Sequence, residues 1–433
     1  MRSVLAQKIN NKKFRLAVIG LGYVGLPLAV EFAKKGFAVT GIDIDKQKVK
    51  SLTSWISYIQ DVPTQDIAGV FSKGLFKAAC DYSQLKKQDG VIVCVPTPLG
   101  KTREPDISFI VEATKKIAQY LHRQELIVLE STTYPGTTEE LVLPILEKKG
   151  FKVGKDFYLG FSPERVDPGN PLYKTANIPK VVGGVTKQCS ELIRLLYSQI
   201  IEEVVPVSSA RVAEMVKLLE NTFRAVNIAL INEICLMANR LNIDIWEVIK
   251  AAGTKPFGFM SFKPGPGLGG HCLPIDPLYL SWKARLAGFE SRFIQLADEI
   301  NSSMPIYVAN KTAEILNKYS KSLKGSKILI IGVAYKPDVS DMRESPALEI
   351  IKHLKGEKAV VSYYDPLVKN IKVNARKFSS IRLTRTAIKE ADCVLIITHH
   401  KQIDYDFILR HSRLVFDTRN VYDGVKNNKI ISL

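Results

Sequence analysis

An early segment of the chain carries the pattern that most restricts how it can fold, a glycine-rich turn between two apolar stretches. Residues 14–19 are mostly apolar and predict a β-strand, and residues 20–25 (GLGYVG) match a G-x-G-x-x-G turn that opens a helix. The second apolar stretch ends at Asp43, 18 residues after Gly25. Strand, turn, helix and terminal acid in this order are typical of a dinucleotide-binding βαβ unit.

Each part of this pattern has a chemical reason. The glycines allow a tight turn and a close approach of pyrophosphate, and the N-terminus of the following helix favours the phosphate charge. An acid at the end of the second strand can accept hydrogen bonds from ribose hydroxyls, so Asp43 favours NAD over NADP. Lys48, five residues later, can counter a phosphate or be a solvated helix residue. We therefore predict that the first domain binds NAD.

Further apolar stretches at residues 90–96, 126–132, 158–164 and 180–184 predict strands, with helical segments between several of them. Alternating strands and helices predict a parallel sheet with helices on both faces, and such sheets bind ligands beyond the carboxyl ends of their strands. The polar residues at these ends are Thr97, the run 131–133 and the pair 164–165. Each can also be a turn or cap residue, but three strands ending in this way favour a shared site.

Length, charge and cysteine usage limit the class of protein. A chain of 433 residues is too long for one ordinary core, so two or three domains are expected. The net charge of +18 is spread along the chain without a long basic block, so anionic nucleotides explain it as well as nucleic acid, and no nucleic-acid partner is expected. The sequence has no apolar run of about 18 residues and no signal-peptide core, which predicts a cytoplasmic protein without a membrane partner. Six scattered cysteines predict neither disulfides nor a structural metal.

Residues 210–241 lack glycine and proline and predict one long helix that joins two domains and can form a dimer interface. Lys217, Asn221 and Arg224 are spaced by four and three residues, which places them on one face of this helix. On a surface helix such a stripe is solvated, but the apolar neighbours here favour a polar pocket. A lysine in that pocket can hold an anion or stabilise an oxyanion.

Residues 264–277 (PGPGLGGHCLPIDP) place one cysteine among four glycines and four prolines. The glycines let the backbone approach a ligand closely, and the prolines stiffen the turns. Cys272 follows His271 and precedes Asp276 by four residues, so its thiol can be a nucleophile. A buried structural cysteine is the alternative interpretation.

A second α/β pattern begins at residue 327, with further strands predicted at residues 359–364, 392–398 and 414–417. Its first turn contains only Gly332, so we expect it to bind something other than a second NAD. Tyr335, Lys336 and Arg343 in the following loop can contact phosphates, although a generic loop explains them equally well. The expected fold is α/β, with two Rossmann-like doubly wound parallel-sheet domains joined by a central helical domain. The predicted limits are 1–13 (extension), 14–208, 209–304, 305–326 (linker helix) and 327–433.

Six motifs carry a resemblance to a known family. They are GLGYVG with Asp43, ESTTYPGTT, FSPERVDPG, KLLENTFRAVNIALINE, GPGLGGHCLPIDP and GVAYKPDVSDMRESPALE. Their order over about residues 14–425 is similar to that in the nucleotide-sugar dehydrogenases, the UDP-glucose/GDP-mannose dehydrogenase family. The resemblance implies an N-terminal NAD domain, a central helical dimerisation domain and a C-terminal domain that helps to bind the UDP part of a UDP-sugar, in a homodimer.

The resemblance also implies a reaction, the four-electron oxidation of a sugar's primary alcohol at carbon 6 to a carboxylate with two NAD molecules in turn. The cysteine loop followed by LYLSWKA is most similar to the branch that oxidises UDP-N-acetylhexosamines for surface polysaccharides. UDP-N-acetylglucosamine is the expected substrate, with the UDP derivatives of N-acetylgalactosamine, N-acetylmannosamine and glucose as alternatives. Lys263 stands where an aromatic residue is expected in this branch.

Carried over residue by residue, the resemblance implies three sets of roles. The catalytic set is Cys272 as nucleophile, Lys217 and Asn221 as oxyanion stabilisers, Asp276 in proton transfer or water activation, Glu164 in thioester hydrolysis, and Thr132. The NAD set is Gly20, Gly22, Tyr23, Val24, Gly25, Asp43, Lys48, Thr97, Thr132 and Arg343. The substrate set is Arg165, Val166, Lys217, Asn221, Arg224, Gly267, Tyr335 and Lys336.

The reaction also explains the cysteine on chemical grounds. Oxidising an aldehyde to an acid with a nicotinamide requires a tetrahedral adduct that can lose hydride. A thiolate supplies this adduct as a thiohemiacetal, loss of hydride gives a thioester, and water releases the acid. A two-electron hydroxy-acid dehydrogenase would need neither Cys272 nor the third domain, and a non-enzymatic NAD-binding regulatory protein would form no NADH. Two NADH per UDP-sugar would distinguish the four-electron enzyme from both.

Overall fold

The structure is a computed structural model that describes residues 4–59, 61–100, 103–167, 170, 172–173 and 175–433. The chain divides into two compact units. The first unit comprises Met1–Glu220 and Leu278–Gly288, and the second comprises Asn221–Pro277 and Phe289–Leu433. No helix among the described residues is long and apolar enough to cross a membrane.

The first unit is built on an eight-stranded sheet in the order β3-β2-β1-β4-β5-β6-β7-β8. Its strands are β1 (Arg15–Ile19), β2 (Ala38–Ile42), β3 (Phe76–Ala79), β4 (Gly90–Val93), β5 (Glu125–Leu129), β6 (Phe157–Phe161), β7 (Lys180–Gly184) and β8 (Val204–Pro206). The strands are parallel except at β6 and β7, where Gly160 faces Gly184 in an antiparallel pair. The order reverses between β1 and β4, which makes the carboxyl ends of these two strands the point where such sheets bind ligands.

Helices cover both faces of this sheet. They are α1 (Val4–Asn10), α2 (Gly25–Lys34), α3 (Lys46–Thr53), α4 (Thr64–Ser72), α5 (Ser108–Tyr120), α6 (Leu143–Glu147) and α7 (Lys187–Tyr197), with a 3₁₀ helix at Tyr82–Lys87 and a π-helical segment at Thr137–Val142. Because side chains alternate along a strand, Leu16 and Val18 pack into one apolar cluster and Ala17 and Ile19 into another. The doubly wound fold is therefore confirmed for this unit.

A long helix, α8 (Ala210–Leu241), occupies the predicted range. The remaining helices are α9 (Ile245–Ala252), α10 (Asp276–Leu286), α11 (Arg292–Lys318), α12 (Pro346–Gly356), α13 (Arg385–Glu390) and α14 (Tyr405–His411). The division between the units falls inside α8, after Glu220, and inside α10, after Pro277. Helix α11 runs without a break through Pro305, the residue at which the sequence predicts a separate linker helix to begin.

The second unit contains a parallel five-stranded sheet in the order β10-β9-β13-β14-β15. These strands are β9 (Lys327–Ile331), β10 (Val360–Tyr364), β13 (Cys393–Ile396), β14 (Val415–Asp417) and β15 (Ile430–Ser432), and β11 (Asn370–Val373) and β12 (Arg376–Ser379) form a hairpin. Ile328 and Ile330 face one apolar cluster, whereas Leu329 and Ile331 face another. This sheet is also covered on both faces, as the sequence predicts.

The two sheets share one turn geometry after their first strands. Gly20 has φ of +89°, and a Cβ added to it would lie 2.4 Å from the carbonyl oxygen of Cys94. Gly332 has φ of +79°, and its Cβ would lie 2.0 Å from the carbonyl oxygen of Thr398. Both positions therefore require glycine, for backbone conformation and for space.

Candidate active site

The glycine turn of the first unit has the geometry that a pyrophosphate needs. A Cβ on Gly25 would lie 1.9 Å from the carbonyl oxygen of Gly20, whereas a Cβ on Gly22 would meet no atom within 4 Å. Gly20 and Gly25 are thus required by close packing, whereas the backbone at Gly22 borders open space at the start of α2. The Tyr58 hydroxyl donates to the Leu21 carbonyl at 2.6 Å and fixes the turn. These residues fit a dinucleotide.

Asp43 lies directly after β2, at the edge of the same turn. Its carboxylate accepts hydrogen bonds from the backbone N–H groups of Leu21 and Asp45, both at 2.9 Å. The Lys48 ammonium lies 3.3 Å from the Asp43 carboxylate, so it pairs with this acid. Tyr23 is exposed and Val24 half-buried on the residues that lead into α2. The predicted NAD set of the first unit is therefore gathered around one turn.

Two further members of that set lie at the carboxyl ends of the neighbouring strands β4 and β5. Thr97 is buried, and its carbonyl accepts a hydrogen bond of 2.7 Å from the Tyr279 hydroxyl of α10. Thr132 is half-buried between the buried residues Ser131 and Thr133. Because β4 and β5 are adjacent and parallel, both threonines lie at the same edge of the sheet.

Glu164 follows β6 and is held by several groups at once. Its carboxylate accepts hydrogen bonds from the backbone N–H groups of Arg165 and Val166 at 2.7 Å each, and the Lys180 ammonium lies 3.2 Å away. Burial opposes ionisation of Glu164, but Lys180, the two N–H groups and Lys217 outweigh it and lower the pKa of this carboxyl. Glu164 is therefore held as a carboxylate.

Lys217 of α8 donates to the carbonyl oxygen of Glu164 at 2.5 Å, so the structure brings together two residues that the sequence places 53 positions apart. Arg165 is paired with the Glu220 carboxylate and also donates to the Pro179 carbonyl at 2.6 Å. The lysine and the arginine are thus both oriented by groups of the first unit. The buried position of Lys217 agrees with a polar pocket rather than a solvated stripe.

In the second unit, Cys272 is exposed and stands in the turn that leads into α10. Its carbonyl oxygen accepts the backbone N–H groups of Ile275 at 3.1 Å and Asp276 at 2.9 Å. Backbone N–H groups at a helix N-terminus favour negative charge, which suits a thiolate at this position. The alternative of a buried structural cysteine is wrong.

Asn221 and Asp276 are both buried, and the Asn221 side-chain amide donates to the Asp276 carboxylate at 2.5 Å. Asp276 is the first residue of α10, so this hydrogen bond joins the part of α8 that belongs to the second unit to the end of the cysteine loop. Arg224, the third residue of the predicted stripe, is exposed, as is Lys263.

The glycines of the cysteine loop have a packing role that sequence reasoning missed. A Cβ on Gly269 would lie 2.8 Å from the Tyr335 Cβ, and one on Gly270 would lie 2.7 Å from the Tyr335 ring. The Gly270 N–H donates to the Arg343 carbonyl at 2.9 Å. The cysteine loop therefore packs on the loop after β9, which carries three of the predicted ligand contacts, Tyr335, Lys336 and Arg343.

Charged groups of that loop also act on His271. The Arg343 guanidinium is held by the Asp341 carboxylate, with the shortest contact at 2.6 Å. Burial and the charge of Arg343 lower the pKa of His271, against the opposing effect of Asp341. His271 is therefore neutral near pH 7 and does not provide a cation for the neighbouring thiolate.

A chain of side-chain amides supports the beginning of the loop. The Gly265 N–H donates to Asn232 at 2.9 Å, Asn232 donates to Asn301 at 3.0 Å, and Asn301 donates to the Ala225 carbonyl at 3.0 Å. Sequence reasoning missed these asparagines, although Asn232 follows Asn221 by 11 residues, about three helical turns, and so shares its face of α8. Arg419, whose guanidinium lies against Gly265, and Lys180, which pairs with the buried Glu130, lie outside the six motifs, whereas Glu130 is the first residue of ESTTYPGTT.

Comparison with known families identifies three domains in the chain. Residues 14–201 match the NAD binding domain of the UDP-glucose/GDP-mannose dehydrogenase family, residues 211–303 its central domain, and residues 329–424 its UDP binding domain. The resemblance inferred from the six motifs is thereby confirmed.

Individual relatives agree with this result. The chain is 38% identical to a UDP-N-acetyl-D-glucosamine 6-dehydrogenase of Pseudomonas aeruginosa, over 82% of this chain and 84% of the relative. It is 35% identical to an enzyme of the same name from Salmonella typhi, over 90% of each chain. Among solved structures, a UDP-D-ManNAc dehydrogenase from Pyrococcus horikoshii superposes with a TM-score of 0.88 at 33% identity, covering 97% of this chain and 99% of that one.

Proposed function

Since the chain belongs to the UDP-glucose/GDP-mannose dehydrogenase family and is an NAD-dependent nucleotide-sugar dehydrogenase, we propose that it oxidises carbon 6 of UDP-N-acetylglucosamine to the uronic acid. The observation that carries the four-electron reaction is an exposed Cys272 at the start of α10, with Asp276 and Asn221 hydrogen-bonded beside it. A two-electron dehydrogenase has no use for such a thiol. The relatives named for UDP-N-acetyl-D-glucosamine support this hexosamine.

The first unit supplies the groups that would hold NAD. In this proposal the glycine turn binds the pyrophosphate, Asp43 the adenosine ribose, and Lys48, Thr97 and Thr132 further parts of the cofactor. The chemistry that NAD supplies when bound is the acceptance of a hydride at each of two oxidations. Arg343 of the second unit completes the proposed set.

The covalent steps take place on Cys272. Its thiolate adds to the carbon of the aldehyde, and the resulting oxyanion is stabilised by Lys217 and Asn221, an effect of about 3 to 4 kcal/mol for a well-placed donor. Removal of hydride from this adduct leaves a thioester. Hydrolysis of the thioester forms one C–O bond to water, breaks the C–S bond and passes a proton to the protein, and we assign Glu164 and Asp276 to this proton transfer.

The contacts proposed for the UDP-sugar are those that the family resemblance implies. The proposed contacts are Arg165, Val166, Lys217, Asn221, Arg224, Gly267, Tyr335 and Lys336. The predicted domain limits and a cytoplasmic location are also part of the proposal. Production of a uronic acid for surface polysaccharides is the biological role that follows from this substrate.

A homodimer through α8 also belongs to the proposal. Six apolar side chains recur along this helix at intervals of seven, four, seven, seven and four residues, which keeps them within one narrow stripe. They are Val212, Leu219, Phe223, Leu230, Met237 and Leu241, each 40 to 60% exposed. Contiguous exposed apolar surface of this kind favours association, and a second copy of the chain offers the same stripe.

The test is an assay with NAD and four UDP-sugars, those of N-acetylglucosamine, N-acetylmannosamine, N-acetylgalactosamine and glucose. We expect the highest kcat/KM for UDP-N-acetylglucosamine, two NADH per sugar, and a uronic acid identified by mass. The structural neighbour named for ManNAc makes UDP-N-acetylmannosamine the second candidate, and a higher kcat/KM for it would correct the substrate assignment. One NADH per sugar, with an aldehyde as product, would contradict the four-electron reaction.

A further inference from the structure

A buried group of charged side chains contacts Glu164 in the first unit. Lys180, the first residue of β7, lies 3.0 Å from the Glu130 carboxylate and 3.2 Å from the Glu164 carboxylate. The side chain of Glu130 is fully buried and that of Lys180 is 6% exposed. Tyr197 donates its hydroxyl to Glu130, and the ring of this tyrosine lies 5.2 Å from the Lys180 ammonium. One buried cation is therefore shared by two carboxylates.

Other cations near Glu164 are directed elsewhere. Lys217 donates to the backbone carbonyl of Glu164, and Arg165 is paired with Glu220. Among the described residues, Lys180 is the cation whose ammonium forms an ion pair with the Glu164 carboxylate itself. It contacts one oxygen, Oε2, while the other, Oε1, accepts the N–H groups of Arg165 and Val166. Both oxygens of Glu164 are thus fixed in orientation.

Burying these three charged groups costs free energy of folding, and a purely structural role does not explain that cost. Taking two carboxylates and one ammonium out of water is unfavourable, and an apolar cluster of the same volume is often as stable. Glu130 and Lys180 lie at the carboxyl end of β5 and the start of β7, on either side of β6, and Glu164 follows β6 by three residues. β7 is antiparallel to β6, and for this reason its first residue reaches the end of the sheet where Glu164 lies.

We propose that Lys180 is a positioning residue that holds Glu164 as an oriented carboxylate for hydrolysis of the thioester, and that Glu130 in turn holds the Lys180 ammonium in place. The inference rests on the proposed function. In this step the oxygen of water bonds to the acyl carbon, the bond from that carbon to Sγ of Cys272 breaks, and the sulfur leaves as a thiolate. Glu164 accepts the proton of the water, which requires that it be ionised beforehand. No oxidant is consumed, because both hydrides have already left.

The predicted behaviour follows from charge. Without the Lys180 cation, burial and the nearby Glu130 both disfavour the ionised form of Glu164. Lys217 and the N–H groups of Arg165 and Val166 still favour it. In the plot of the rate of thioester hydrolysis against pH, Lys180→Met should therefore move the acidic limb to higher pH by about 1 to 3 units. Lys180→Arg keeps the cation and should leave the limb near its wild-type position.

The experiment is a pre-steady-state assay between pH 5.5 and 9 with NAD and UDP-N-acetylglucosamine. Both oxidations precede hydrolysis, so Lys180→Met should show a burst of two NADH per active site, followed by a steady-state rate that is about 10²-fold lower at pH 6. Intact mass after acid quenching should show the thioester accumulating at pH 6 and not at pH 9. Lys180→Arg should show little accumulation at either pH.

A second variant protects the test against misfolding and examines Glu130. Lys180→Met/Glu130→Gln removes the unpaired buried carboxylate, so it should fold, and its acidic limb should lie below that of Lys180→Met and above the wild type. A uniform loss of rate at every pH, with no shift of the limb and no thioester, would show a structural role and overturn the inference. A limb in the double variant at or above that of Lys180→Met would overturn the role of Glu130.

The outcome separates this inference from the proposed function. If the wild-type protein forms no acid or only one NADH per sugar, the proposed function fails. If the wild-type protein forms two NADH and a uronic acid while Lys180→Met keeps the wild-type pH profile, the positioning role of Lys180 alone fails.

Discussion

Cys272 is exposed, whereas Asn221 and Asp276 beside it are buried. This division suits a nucleophile, because the reacting sulfur must be reached by substrate while the groups that direct protons are held in place. The hydrogen bond from Asn221 orients the Asp276 carboxylate, so in the proposed mechanism the asparagine acts through the acid as well as on an oxyanion. A change at Asn221 is therefore expected to affect more than one step.

Replacement of the thiol gives the sharpest prediction for a single residue. Cys272→Ala should abolish acid formation, because no adduct can then form from which the second hydride leaves, while NAD binding is retained. Cys272→Ser should trap an ester on the protein, since an alkoxide leaves less readily than a thiolate. The measurements are uronic acid and intact protein by mass, and NAD affinity by fluorescence.

The matched control for this prediction is Cys80→Ala, which removes an exposed thiol elsewhere. It should form acid at the wild-type rate. Undiminished acid production by Cys272→Ala would remove the cysteine from the mechanism.

At the level of residues, sequence patterns predict the motif residues but not the contacts that side chains make in the folded protein. Cys272, Asp276 and the glycine turn could be found because their residue types and spacing are specific. The pairing of Glu130 with Lys180 could not, since Lys180 lies outside every motif and 50 residues after Glu130, the first residue of ESTTYPGTT, and only the fold shows that both are buried and paired. Tyr335 was predicted as a ligand contact, but its packing against Gly269 and Gly270 depends on three-dimensional contacts that the sequence does not reveal.

Among the elements, the turns after β1 and β9 show how one local structure serves two purposes. In the first unit Asp43 lies at the turn beside Lys48, near open space at Gly22. In the second unit Asp365 follows β10 at the equivalent position and accepts the N–H groups of Val333 and Ala334 at 2.7 and 3.1 Å. Its side chain is fully buried and lies 3.2 Å from His400, so it cannot bind ribose hydroxyls.

Asp365 is instead expected to stabilise the second sheet. Its carboxylate also accepts the N–H groups of Leu367 and Val368, both at 2.9 Å, so Asp365→Asn would turn an amide donor towards backbone donors. The expected loss is about 2 to 3 kcal/mol at pH 7. Thermal unfolding should show this difference, and the exposed substitution Asp406→Asn should show almost none.

The pH dependence of this effect has a definite sign. Despite burial, His400 and the backbone N–H groups lower the pKa of Asp365 below its ordinary value of 3.8. A lowered carboxyl pKa contributes stability that is fully present above the unfolded value and is lost as pH falls through the folded value. The part of the difference between wild type and Asp365→Asn that is due to ionised Asp365 should thus shrink as pH falls below 3.8. A difference that grows below pH 3.8 would contradict this account.

The long elements were predictable and several short ones were not. Helix α8 has the predicted bounds because its 32 residues contain no glycine or proline that would interrupt a helix. Strands β3, β8 and β15 are short, partly exposed strands at the edges of their sheets, whereas the equally short β14 is fully buried and was predicted. Helix α11 continues through Pro305 because only one helical hydrogen bond is lost there, that to the Asn301 carbonyl, and the residue is buried among its neighbours.

For the whole molecule, α8 is the element through which the proposed dimer would assemble. Leu230 and Met237 lie near the middle of its apolar stripe, and a glutamate at either position would place a desolvated charge in the proposed dimer contact. Leu230→Glu/Met237→Glu should weaken the dimer at least about tenfold and give a monomer in light scattering at micromolar concentration. The wild type should give a dimer.

Arg240→Glu is the control, since Arg240 is exposed on α8 but lies about 80° from the stripe. It introduces a similar change of charge and should leave the dimer intact. Dissociation by both variants would point to a general charge effect, and dissociation by neither would remove this stripe from the interface.

The close approach of Arg419 to Gly265 limits how this protein can evolve. A methyl group at position 265 would lie 2.4 Å from the Arg419 guanidinium, so alanine there requires this side chain to shift. Because the guanidinium is the end of a flexible side chain, such a shift can accommodate alanine, whereas a larger residue at 265 is expected to require a change at Arg419. Two positions far apart in the sequence are therefore expected to vary together among descendants of this chain.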